Sequence, residues 1–79
     1  MRKKPPHRVA FGQAVRELRH ERGWTQEGLA DHAEMHWTYI GSVERGERNP
    51  SWDSIVRLAQ ALDVRASQLV TRAERLMAK

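Results

Sequence analysis

The sequence predicts an all-α domain of five short helices, and three observations predict it. Apolar residues recur at three- and four-residue steps along the 79 residues, no stretch shows the strict apolar/polar alternation of a half-buried strand, and Gly, Thr, Ser and an Asn-Pro pair interrupt the pattern where helices start and stop. A chain this short makes one domain with one modest core, which excludes a two-domain enzyme, a doubly wound nucleotide binder and an array of long repeats. With no Cys there is no disulfide framework and no thiolate zinc site, so stability has to come from packing, with dimerisation as a further source.

The elements follow in order. Across residues 9–22, Phe11, Val15 and Leu18 form the stripe of a half-buried helix, and Gly23 closes it as a C-terminal glycine. Thr25 offers a hydroxyl to the free amides of a second, short helix whose inward positions are Leu29, Ala30 and Ala33. A third helix starts after His36, turns Ile40 and Val43 inward and ends at Gly46, and residues 47–50 form a turn because Asn49 and Pro50 resist helix continuation. Ser51 caps a fourth helix carrying Ile55, Leu58, Ala59 and Leu62 on one face. A fifth, over residues 66–77, carries Leu69, Val70, Ala73 and Leu76.

Charge is unevenly placed. The net +4 comes from fourteen Lys/Arg against ten Asp/Glu, and residues 1–8 hold Arg2, Lys3, Lys4 and Arg8 with no acid, which leaves the remainder balanced. Residues 1–8 therefore read as a flexible basic arm ahead of a domain over residues 9–79, either a solvated tail or an arm that follows DNA phosphates or enters a minor groove. No apolar run reaches the ~18 residues of a membrane span, so a cytoplasmic protein with no membrane partner is expected. Two short helices joined by a turn, with Ala30 and Ala33 letting backbones approach, are the helix-turn-helix arrangement, here over residues 26–46.

The chain resembles the Cro-type, lambda-repressor-like bacterial regulators, also called the xenobiotic-response-element family. The resemblance runs over about residues 9–70. Its pieces are Phe11-Gly12 with Val15 to Arg19, Gly23 to Glu27 with Leu29-Ala30, Thr38-Tyr39-Ile40 with Val43 to Gly46, Arg48 to Ser51, and Leu58-Ala59 with Ala61-Leu62. It implies a compact five-helix DNA-binding domain whose recognition helix, residues 37–45, enters the major groove. It also implies roles: Trp37, Thr38 and Ser42 at base-reading positions, Tyr39 beside the backbone, and Gln26 on a phosphate at the start of the second helix. Periodicity agrees, since burying Ile40 and Val43 turns residues 37, 38, 41 and 42 outward, with Gly41 letting the groove come close. Arg45, Arg48 and Asn49 follow where they would hold the phosphate chain. Arg19 and Glu44 stand at positions the family often joins by an ion pair between its first and third helices.

Three positions depart from the family pattern. Gly28 replaces the Glu that closes a capping box and costs ~1 kcal/mol of helix propensity. Glu34 stands where Gly or Asn is common, so it is expected to hold a left-handed backbone conformation. Trp37 stands where a polar or basic residue is usual; it either packs on a thymine methyl or sugar edges, or anchors a protein partner. Trp24 is expected in the core, and Trp52 either caps the core or joins a dimer contact.

The function expected is that of a sequence-specific double-stranded DNA-binding transcriptional regulator, a homodimer on a two-half-site operator. Helices over residues 52–78 serve core and pairing, and the pairing candidates are Trp52, Val64, Leu69, Val70, Leu76 and Met77. The competing class is an antitoxin or adaptor module, with a toxin or RNA polymerase as protein partner. His32 and His36 are four apart with Glu34 between them, but the turn separates them and no third ligand is evident, so no metal is expected. No phosphate loop, nucleophile set or carboxylate pair can be assembled, so neither catalysis nor a cofactor is expected.

Overall fold

The computed structural model describes residues 3–78, and within these five helices fold around one core. They are α1 (Pro6–Glu21), α2 (Gln26–Ala33), α3 (Trp37–Glu44), α4 (Trp52–Ala61) and α5 (Ala66–Met77). No strand occurs among the described residues. Helix α1 lies between α5 and α3, α2 packs on α3 and α4, and α4 packs on α5, in a body of 31 × 25 × 23 Å. The periodic apolar positions meet at the centre. Val15, Leu29, Ile40, Val43, Leu58, Leu62 and Leu69 are essentially removed from water, with Phe11, Leu18 and several alanines between them. Side chains of this size each gain roughly 1.5–3 kcal/mol on burial, and they are the main source of stability in a chain without covalent staples.

Local chemistry sets the boundaries. Thr25 Oγ1 accepts from the Gly28 amide at 3.0 Å and Ser51 Oγ from the Ser54 amide at 3.1 Å, capping α2 and α4 as the sequence predicts. Each of the four turns between helices contains a residue of positive φ: Gly23, Glu34, Gly46 and Asp63. In each turn the next amide reaches back to a carbonyl five residues earlier: Trp24 to Arg19, Met35 to Ala30, Glu47 to Ser42, and Val64 to Ala59, all at 2.9–3.2 Å. Glycine takes this conformation freely. Glu34, at φ 56°, does not, and Arg57 compensates: its Nη2 donates to the Ala33 carbonyl at 3.0 Å and to that of Glu34, placing a cation at the negative end of α2. Asp63 has the same φ, which no glycine in the sequence announced.

One boundary differs from the sequence reading. Helix α1 begins at Pro6, so part of the expected flexible arm of residues 1–8 is helix. Proline lacks only an amide that the first turn would leave unpaired anyway, and its fixed φ suits the first helical position. Ahead of it, Lys4 Nζ donates to the Arg45 carbonyl at 2.7 Å, tying the segment to the end of α3. Met1 and Arg2 of that arm, like Lys79 at the other end, lie outside the described residues.

The α1–α3 crossing is closer than side chains permit. A Cβ built on Gly12 would overlap the Val43 carbonyl oxygen and stand 2.7 Å from that of Glu44. Gly12→Ala is therefore expected to destabilise the fold by about 2 kcal/mol or more, lowering the melting temperature by roughly 8–16 °C in thermal denaturation. At the far side of α1, Arg72 Nη1 donates to Glu21 at 2.6 Å and to Glu17 at 3.2 Å. The hydrogen bond from Arg72, with its charge as a smaller contribution, holds the Glu21 carboxyl below its usual range. A depressed carboxylate stabilises the fold above its unfolded-state value and loses that contribution as pH falls through the folded one. The stability gap between the natural chain and Arg72→Met should be widest at neutral pH and close as pH drops below about 4.3, as read by urea denaturation at several pH values.

Candidate nucleic-acid interface

The third helix is presented by its neighbours. Arg19 on α1 and Glu44 at the end of α3 form a two-pronged pair, Nε to Oε2 at 2.7 Å and Nη2 to Oε1 at 2.9 Å, with side chains only 9% and 3% exposed. Arg19 Nη1 donates to the Trp24 carbonyl at 2.8 Å, and Gln26 Nε2 donates to Glu44 Oε1 at 3.1 Å. The pair therefore binds α1, the α1–α2 turn, the first residue of α2 and the last residue of α3 in one network. Fixing α3 against both α1 and α2 leaves its remaining side turned away from the core.

That face starts at His36, whose Nδ1 accepts from the Thr38 amide at 3.2 Å and lies 2.6 Å from Thr38 Oγ1. His36 thus caps α3, a role the sequence reading did not give it. The signal was its place immediately before the first helical residue, where Ser, Thr, Asp or Asn is usual. Trp37 is 51% exposed and Thr38 is exposed, with the Trp37 ring stacked loosely on His36 at 6.0 Å between centroids. Tyr39 is partly buried against the core. Arg45, Arg48 and Asn49 are exposed, and Arg45 is paired with Glu47 at 3.0 Å.

Two outward positions are corrected. Gly41 is buried, because the side chains of Gln26 and Arg45 close over it: a Cβ there would stand 3.2 Å from Gln26 Oε1 and 3.1 Å from Arg45 Nη1. Ser42 is only 6% exposed. Its hydroxyl donates to the Tyr39 carbonyl at 2.8 Å and accepts from Arg48 Nε at 3.2 Å, so it is engaged within the protein and not presented outward as the periodicity suggests. Both positions do lie on the outer side of α3, but Gln26 from α2, Arg45 at the helix's own end and Arg48 from the following turn cover them.

The pairing candidates divide in the same way. Leu69 is fully buried in the core and offers nothing to a second chain, while Val64 and Leu76 are partly buried against that core. Trp52 at 65% exposure, Val70 and Met77 remain open. Val70 and Met77 line a groove of about 330 Å³ together with Phe11, Pro50, Ile55 and Ala73. Trp24 packs on the core as expected, its ring stacked on His32 at 4.0 Å. His32 Nδ1 also lies 2.9 Å from the Gly28 carbonyl, so His32 and His36 serve separate local structures. No cluster of three potential metal ligands and no membrane-crossing helix is found among the described residues.

Comparison with known proteins places this geometry. A family model described as a helix-turn-helix domain matches residues 10–73. The control protein C.BamHI of Bacillus amyloliquefaciens is 42% identical over 64 residues, 80% of this chain and 79% of that protein. Among solved structures, the restriction-modification controller protein C.AhdI from Aeromonas hydrophila is 48% identical with a TM-score of 0.76, over 77% of this chain and 92% of its own. The restriction-modification controller C.Esp1396I, solved as a tetramer in complex with its natural 35 base-pair operator, is 26% identical with a TM-score of 0.85, over 92% of this chain and 96% of its own.

The network around Arg19 sets a test of its architectural role. Removing one partner leaves a buried, unpaired charge, so Arg19→Met and Glu44→Leu alone should each cost about 3–5 kcal/mol. The double variant should recover much of that loss in denaturant unfolding while binding DNA poorly, because α3 is no longer held.

Proposed function

The chain belongs to the helix-turn-helix domain family, the Cro-type, lambda-repressor-like class its motifs resemble, and on that premise we propose that it is a sequence-specific double-stranded DNA-binding transcriptional regulator acting as a homodimer. The observation that carries this reading is an eight-residue helix whose start is capped and exposed at Trp37 and Thr38, whose end is held by a buried ion pair, and whose outer side is lined by the side chains of Gln26, Arg45 and Arg48. Such a helix fits the major groove. Trp37 and Thr38 reach base edges in this reading, while Gln26, Tyr39, Arg45 and Asn49 follow the sugar-phosphate chain. Likeness of fold to C.Esp1396I, a controller solved on its operator, supports it.

Pairing follows from the charge balance. Outside the N-terminal segment the chain is neutral, so one copy gains little from counterion release, and a second copy on an adjoining half-site supplies the missing affinity. Two copies so paired are proposed to bind half-sites about one helical turn, roughly 34 Å, apart. Trp52, Val70 and Met77, with the groove beside them, are the apolar surface proposed to join the copies. A family of this kind works by binding rather than by catalysis, and a cytoplasmic place beside the chromosome accords with that work.

Random-oligonucleotide selection with the full chain, followed by mobility shifts, tests the reading. A two-fold-symmetric consensus is expected. Trp37→Ala with Thr38→Ala should weaken the selected site at least tenfold and leave non-specific binding nearly unchanged. Val70→Glu with Met77→Glu should shift sedimentation to monomer and lower operator affinity. A monomer at micromolar concentration with no selected sequence, or a co-purified protein covering Trp37, would overturn it.

A further inference from the structure

At residue 42 the outer side of α3 is occupied by a side chain from another element. The Arg48 guanidinium comes from the turn after α3 and lies across Ser42, with Nε donating to Ser42 Oγ at 3.2 Å and Cζ 6.0 Å from the centroid of the Tyr39 ring. Ser42 gives its own proton to the Tyr39 carbonyl at 2.8 Å, so it presents a lone pair to Arg48. Arg45 differs. Glu47 takes its Nε at 3.0 Å and its Nη2 at 3.2 Å, whereas no carboxylate among the described residues pairs with Arg48.

Resting on the DNA-binding reading above, we infer that Arg48, not Ser42, reads a base edge from this face, with Nη1 and Nη2 as a two-pronged donor for guanine O6 and N7. A phosphate contact asks only for a cation within reach. Here Nε is tied and the Tyr39 ring lies beneath, so much of the entropy of ordering a long side chain is already lost before DNA arrives. What remains free is the planar pair of terminal nitrogens. In the major groove guanine is the base that sets two acceptors side by side. The guanidinium also lies against the last turn of α3, on the hydroxyl of a helical residue, and not beyond the helix end. Ser42 and Tyr39 are then positioning residues for Arg48.

The test uses the full chain and the site obtained by selection, with Arg48→Lys, Arg48→Ala and Ser42→Ala compared by fluorescence anisotropy. Arg48 is exposed, so its variants should melt with the natural chain. The expected result is one G·C pair per half-site whose preference falls on the order of ten- to a hundredfold in both Arg48 variants and partly in Ser42→Ala. Replacing that guanine by 7-deazaguanine should weaken the natural chain and leave Arg48→Ala unaffected. If Arg48→Lys matches the natural chain while Arg48→Ala weakens every sequence equally, Arg48 is a phosphate contact and the inference is overturned. It is equally overturned, with the DNA-binding reading intact, if a consensus emerges in which no base depends on residue 48. If the natural chain selects no sequence at all, the DNA-binding reading fails first and this inference with it.

Discussion

The orientation of α3 depends on one buried ion pair. Two charges out of water each cost several kcal/mol, and attraction between them repays that only when their remaining protons and lone pairs are also engaged. Arg19 and Glu44 meet the condition. Three guanidinium nitrogens donate, two to the carboxylate and one to the Trp24 carbonyl, and the carboxylate receives a further donor from Gln26. The net gain over an apolar pair is small, but the penalty for misplacement is large. Any rotation of α3 that parts the two groups strands both, so the pair selects one pose for the helix. Gly12 acts in the same direction by sterics, bringing α1 onto the backbone of Val43 and Glu44, the residues that end α3.

Most of the fold was legible because helix ends are written in short-range chemistry. Thr25, Ser51, Gly23 and Gly46 each act through atoms within a few residues, so neighbours in the sequence suffice to read them. The failures are of two kinds, local and tertiary. Residues 1–8 read as an arm from their charge, although Pro6 suits a first helical position, and Asp63 takes the left-handed conformation through local turn hydrogen bonds where no glycine marked it. At the face of α3, periodicity reported correctly that residues 41 and 42 point away from Ile40 and Val43. It had no means of reporting that Gln26 and Arg48 would arrive from other elements to join Arg45, one turn further on, in covering them. Leu69 failed in the opposite sense. A surplus of apolar residues in the last helix indicated an uncovered surface, but not which side chains the core would take first.

A pattern lies behind these corrections. From Thr38 to Ser42 the outward positions of α3 carry short side chains, Thr, Gly and Ser, while the long polar ones beside them are rooted at the start of α2, the cap of α3 and the following turn. A long side chain on the middle of an eight-residue helix would hold itself away from the groove. In the reading proposed above, reach is supplied from the flanks by Gln26, Arg45 and Arg48, two of which depend on the space left at Gly41. The cost is that those flanking groups must be ordered by something other than helical geometry. For Gln26 that is Glu44, for Arg45 it is Glu47, and for Arg48 it is Ser42 with the Tyr39 ring. The proposed recognition surface is therefore assembled by contacts between side chains as much as by the helix itself, and a substitution at Glu44, Glu47 or Ser42 alters it without touching a residue proposed to face DNA.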